Sequence, residues 1–147
     1  MSDNFDKLVE TLQNKIIKKE IRDHNERLVN LCYHPQNWGK LSNDRITVYK
    51  EKRGGPKGYF LGLYLRIEDD IIVNANFITD GCGVMIAIGS QTTILIKGQS
   101  IEFAEKLTAE DIDKALMTIP KDEYHCLELA VKTLRSAIKK YKQENKF

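Results

Sequence analysis

The chain has 147 residues, 30% of them charged and 41% hydrophobic, with a net charge of +2. That is enough for one domain with a real core, and the near balance of charge argues against a dedicated nucleic-acid binder. No run approaches the ~18 consecutive apolar residues of a membrane span, and residues 1–6 are polar with no signal-peptide pattern, so a cytoplasmic protein without a membrane partner is expected. The three cysteines are widely spaced and odd in number. They build no disulfide framework, and in a reducing compartment they read as buried, metal-binding or redox residues.

From residue 5 to 32 apolar residues recur at helical spacing, first at Phe5, Leu8, Val9, Leu12, Ile16 and Ile17, then at Ile21, Leu28, Val29 and Leu31. The thinner apolar content between Lys19 and Arg27 places a break there, so residues 1–20 read as a helical addition to a domain spanning 21–147. His34-Pro35-Gln36-Asn37-Trp38-Gly39 then stops the helix and makes a loop. Residues 45–51 alternate around Ile46 and Val48, and Tyr59, Leu61, Leu63, Leu65 and Ile67 mark one face of a second strand. The Gly54-Gly55-Pro56-Lys57-Gly58-Tyr59 stretch between them reads as a hairpin connection. Asp69-Asp70 turns the chain into a third alternating strand, residues 71–79.

Everything after Gly81-Cys82-Gly83 is helical. Residues 84–96 are apolar and rich in small side chains, the pattern of a deeply buried helix, which Lys97-Gly98 closes. Ser100 starts a short helix through Leu107. Thr108 and Asp111 have the spacing of a capping box for a helix through Leu116. Pro120 separates that helix from a long last one, about 123–143. Strands first and helices afterwards predict an α+β fold, a three-stranded antiparallel sheet packed on one face by helices. Lysines gather at Lys15, Lys18 and Lys19 and again at Lys132, Lys139, Lys140, Lys142 and Lys146, but on helical patterns that read as solvated faces rather than a nucleic-acid patch.

Two thiols fall at helix starts, Cys82 in its Gly-Cys-Gly turn and Cys126 preceded by His125. Unpaired N–H groups and the positive end of the helix dipole favour a thiolate there, which suits a thiophilic metal or a persulfide. Cys32, on the apolar side of a helix, reads as structural, as free cysteine packs like a small apolar group. His24 and His34 read as surface and loop residues. Trp38 reads as the anchor of its loop on the core, its indole also being available to a partner surface.

The loop at 34–39 resembles the Asn-Pro-Arg-Asn-x-Gly signature of the NifU/IscU-type iron–sulfur cluster scaffold proteins. Val73-Asn74-Ala75-Asn76-Phe77 with Gly81-Cys82-Gly83 is similar to that family's strand and second-cysteine turn. The run from Ile96 to Ala104, then Asp111-Ile112, and finally His125-Cys126 opening a helix follow in the family's order. The likeness covers about residues 21–141 and lacks the extra segment of the zinc-containing SufU-type branch. It implies the SufE/NifU-like fold, here with the extra N-terminal helix that the apolar spacing predicts, and a protein that is not an enzyme.

It also implies a site that holds a nascent 2Fe-2S cluster, or zinc, through three cysteines with an aspartate and a histidine competing for the remaining coordination. Cys82 matches the second cysteine, His125 the histidine and Cys126 the third cysteine, the position associated with accepting persulfide sulfur. The first-cysteine motif, Cys-Gly-Asp, falls on Lys57-Gly58-Tyr59, so two ligand positions carry Lys57 and Tyr59 instead. Three donors are left, which suits an open zinc site or a labile cluster. A Lys57 ammonium beside a thiolate would lower that cysteine's pKa and favour sulfur chemistry.

The partners implied are a cysteine desulfurase, apo-protein acceptors and, where a second subunit completes the ligand set, another copy in a homodimer. The family's Leu-Pro-Pro-Val-Lys chaperone segment falls on Ile119-Pro120-Lys121-Asp122-Glu123, where a glutamate replaces the lysine, which counts against an Hsp70-type chaperone. Two readings stay open. One is a scaffold-like protein holding iron, zinc or a transient cluster through Cys82, His125 and Cys126, with sulfur accepted at Cys126. The other is a regulator or adaptor with no cofactor that binds a desulfurase or another assembly protein. An enzyme using Cys126 and His125 as nucleophile and base is the weakest reading, because adjacent helical residues are expected to diverge and no orienting third group is visible.

Overall fold

The computed structural model describes residues 26–81 and 83–145. The expected N-terminal addition at 1–20, His24 and Cys82 lie outside the described residues. Helix α1, Glu26–Tyr33, leads through the Pro/Gly loop and a 3-10 turn at Asn43–Arg45 into strands β1 (Val48–Gly54), β2 (Tyr59–Glu68) and β3 (Ile71–Thr79). Helices α2 (Gly83–Ile96), α3 (Ile101–Lys106), α4 (Ala109–Ala115) and α5 (Tyr124–Glu144) follow. The sheet is antiparallel throughout, in the order β1-β2-β3. One strand boundary differs from expectation. Residues 43–45 are spent on the 3-10 turn, closed by the Arg45 N–H on the Ser42 carbonyl, and β1 instead runs on to Gly54, because β2 is long enough to pair it to Tyr59.

The turns follow from their residues. Asp69 and Asp70 both take positive φ, 52° and 61°, in a two-residue hairpin turn, the twist that right-handed strands require. Aspartate tolerates that region better than most side chains. Thr108 and Asp111 form the reciprocal capping box, and the Ser100 hydroxyl accepts from the Phe103 N–H.

One sheet face carries Leu61, Leu63, Leu65 and Ile67 of β2 with Ala75 and Phe77 of β3, all buried against α2 and α5. Helix α5 packs mainly across β1 and β2, and α2 across β3 and α1. The other face is more open and carries the Tyr49–Tyr64 ring pair, centroids 4.4 Å apart. Buried along α2 are not only Met85, Ala87 and Ile88 but also Ser90, Gln91, Thr92 and Thr93. Each of these polar side chains has a partner, as burial demands. Thr92 and Thr93 donate to the Ile88 and Ser90 carbonyls, and Gln91 accepts twice from Arg27.

The outer edge of β3 is covered rather than left open to pairing with another chain. The Phe77 N–H donates to the Asn37 carbonyl at 3.0 Å and the Gly39 N–H to the Phe77 carbonyl at 2.9 Å, so the Pro/Gly loop lies along the strand like a short fourth one. Trp38 meets Phe77 edge-on, 5.1 Å between centroids, while 45% of it stays exposed, so it anchors the loop and presents a surface at once.

Candidate functional site

The site is built where α5 begins. Ile119 is buried, its N–H held by the Asp113 carboxylate at 2.8 Å, and Pro120 starts a 3-10 turn at Lys121–Glu123. That turn delivers the chain into α5 at Tyr124, with His125 and Cys126 in its first turn. Cys126 is buried, 1% exposed, and His125 is half-buried at a cleft.

Glu123 occupies the N-cap of α5 yet makes no side-chain cap bond. Its carboxylate turns to Cys126, whose Sγ donates to Oε2 across 3.7 Å. One donor atom from each of Glu123, His125 and Cys126 lies within 4.8 Å of the others. The expected divergence of the adjacent His125 and Cys126 is therefore not found. Their donor atoms converge, and the sequence reading missed Glu123, although its i,i+3 spacing from Cys126 places both on one helix face.

Facing this turn is the β1–β2 connection. Gly55 and Gly58 adopt φ of +77° and +66°, and the Gly58 N–H closes the turn on the Gly55 carbonyl at 3.1 Å. Gly55 lies directly against the imidazole, for a Cβ there would come within 2.5 Å of His125 Cδ2. The resulting cleft, about 230 Å³, is lined by Pro56, Lys57, Tyr59, Asp122, Glu123 and His125. A second hollow of about 330 Å³, on the side of Lys52, Arg53 and Lys132, also reaches His125. Lys57 and Tyr59, the two replaced ligand positions, thus share a cleft with His125.

Cys82 is outside the described residues, so its relation to this cluster is not part of the geometry. The residue that follows it, Gly83, begins α2, and Cys32 donates its thiol hydrogen to the Gly83 carbonyl at 3.0 Å. Cys32 thereby packs against Gly83 at the start of α2, in keeping with a structural residue. Chemically the cluster offers one thiolate, one imidazole and one carboxylate. This mixed set suits a borderline divalent ion such as zinc or ferrous iron, and the residues present fit such cargo.

Comparison with known proteins agrees with this architecture. Residues 23–147 match the NifU-like N terminal domain. The iron-sulfur cluster assembly scaffold protein IscU of Rickettsia prowazekii is 37% identical over 132 residues, covering 87% of this chain and 95% of that protein. The iron-sulfur cluster assembly enzyme IscU of Drosophila melanogaster is 32% identical over 141 residues, covering 95% and 91%. Among solved structures, a nitrogen-fixing NifU-like protein (N-terminal) from Brucella abortus superposes with a TM-score of 0.64 at 11% identity, covering 82% of this chain and 94% of that one, a likeness of fold. The chain belongs to the family of NifU-like N-terminal domains.

Proposed function

We propose that this protein is a cluster-assembly scaffold working with a reduced ligand set. It would hold iron, zinc or a transient 2Fe-2S cluster as cargo through Cys82, His125 and Cys126, and pass the product to an apo-protein. The observation that carries this reading is the convergence of the His125 and Cys126 donor atoms at the cleft against Gly55. The names borne by the Rickettsia and Drosophila relatives support it.

Sulfur acceptance at Cys126 would be a thiol exchange. The Cys126 thiolate attacks the outer sulfur of a desulfurase persulfide, a new S–S bond forms at Cys126, the donor's S–S bond breaks, and the donor leaves as thiolate with no net oxidation. Because Cys126 is 1% exposed, the transfer requires the 121–123 turn or the β1–β2 turn to swing aside first. The role is that of carrier rather than catalyst, in the cytoplasm. An acidic Asp122-Glu123 pair in place of an apolar-basic peptide counts against an Hsp70-type partner.

The test is the metal and acid-labile sulfide content of untagged protein purified without oxygen, beside Cys82→Ala. Stoichiometric zinc or iron that the variant loses is the expected result. Metal-free wild type would overturn it in favour of an adaptor for a desulfurase that kept the scaffold's shape, with Lys57 and Tyr59 closing the cleft to metal.

A further inference from the structure

We infer that Glu123 is itself a metal ligand, a carboxylate that makes up for donors missing at positions 57 and 59. The inference rests on the scaffold reading and adds a residue to it. Three observations carry it. First, Glu123 holds the N-cap position of α5 without capping any backbone N–H. An N-cap side chain ordinarily turns inward to those orphan donors, as Ser100 and Thr108 do here, and this one turns to a thiol instead. Second, among the described residues the ion pairs are Arg53–Asp80, Arg66–Glu68 and Lys142–Glu105, so no cation of the described residues is paired with the Glu123 carboxylate.

Third, the spacing is that of two ligands on one ion. With metal–sulfur bonds of about 2.3 Å and metal–oxygen bonds of about 2.0–2.2 Å, tetrahedral geometry sets sulfur and oxygen about 3.5–3.7 Å apart. Glu123 Oε2 and Cys126 Sγ are 3.7 Å apart, and the imidazole nitrogen joins them within 4.8 Å. A carboxylate, a thiolate and a neutral imidazole also balance the charge of a divalent ion, leaving one position for a fourth donor such as incoming sulfur. Glu123 lines the same cleft as Lys57 and Tyr59, so the donor re-enters the site from the opposite wall.

The test uses the full chain, freed of metal by chelator under reducing, oxygen-free conditions and titrated with Co²⁺ and then Zn²⁺. Wild type is expected to show a thiolate-to-cobalt charge-transfer band with tetrahedral visible bands. Glu123→Gln should keep the charge-transfer band, shift the visible bands and bind Zn²⁺ at least about tenfold more weakly, since even outer-sphere losses at metal sites cost that much. Glu123→Cys should add charge-transfer intensity. Thermal melting of the metal-free variants, unchanged from wild type, shows that the fold is intact. If Glu123→Gln titrates like wild type while Cys126→Ala loses the charge-transfer band, Glu123 is no ligand although the site stands. If wild type gives no charge-transfer band, the scaffold reading falls with it.

Discussion

Two loops of this protein carry part of its family resemblance, and they do different work. In the 34–39 loop the polar groups go into the fold. The Gln36 N–H donates to the Ser90 hydroxyl at 3.1 Å, Asn37 Nδ2 donates to the Thr93 hydroxyl at 3.1 Å, and two backbone bonds tie the loop to Phe77. In the 119–126 segment the anchoring stops at Ile119 and Pro120, after which Glu123, His125 and Cys126 aim their side chains at one another. The more conspicuous motif is thus a clamp on a sheet edge. The candidate metal-holding cluster sits on the other segment, at the start of α5.

Breaking the clamp should therefore cost stability and leave the site's chemistry alone. Phe77→Ala has the largest expected effect. The ring is fully buried, meets Trp38, and packs so closely on α2 that a Cβ at Gly89 would overlap it. Truncation should cost about 3–5 kcal/mol in urea unfolding. A loss below about 1 kcal/mol would mean that the loop and α2 close over the void, and that the edge is not the anchor described here.

Asn37→Ala comes next, with about 1–3 kcal/mol expected from the bond to the buried Thr93 hydroxyl and from a backbone held at φ 61°. Asn37→Gly separates the two causes, because glycine takes that backbone conformation freely and gives up only the hydrogen bond. Both variants should bind Co²⁺ as wild type does once folded. Weakened binding would show that the clamp reaches the site.

How legible each loop was in the sequence follows from where its interactions are made. The Asp69-Asp70 turn, the Gly98 cap at φ +84° and the Thr108–Asp111 box are decided within a few residues, and all three could be read from the chain. The three strands were legible because apolar residues alternate along the sequence, as Leu61, Leu63, Leu65 and Ile67 do in β2. The start of β1 was not, because its length is set by β2 across the ladder rather than by its own residues. Of the candidate site, His125 and Cys126 were legible as candidates through the resemblance, and their donor atoms lie within 4.8 Å of each other. Glu123 was not, because a glutamate before a helix ordinarily reads as first-turn charge complementing the dipole. Its turn toward Cys126 becomes visible only in three dimensions. The contact of Cys32 with Gly83 spans 51 positions and has no local signal at all.

The smallest expected effect on stability is also the most discriminating for the site. Gly55 and Gly58 both hold left-handed backbone in the same turn, so an alanine at either should cost about 1–2 kcal/mol through the backbone alone. They differ in what a methyl group would meet. At Gly58 no atom lies within 4 Å, whereas at Gly55 the methyl would press on His125 Cδ2 at 2.5 Å and Nε2 at 3.1 Å. Gly58→Ala should therefore lower stability and leave the Co²⁺ spectrum unchanged. Gly55→Ala should lower stability by a similar amount and also turn the imidazole away from Cys126, weakening Co²⁺ binding and altering the visible bands. Equal spectra from the two variants would show that the ring tilts freely in its cleft, so that the close approach of β1–β2 to α5 does not fix His125. A spectral change confined to Gly55→Ala would identify the glycine turn as the wall that aims the imidazole.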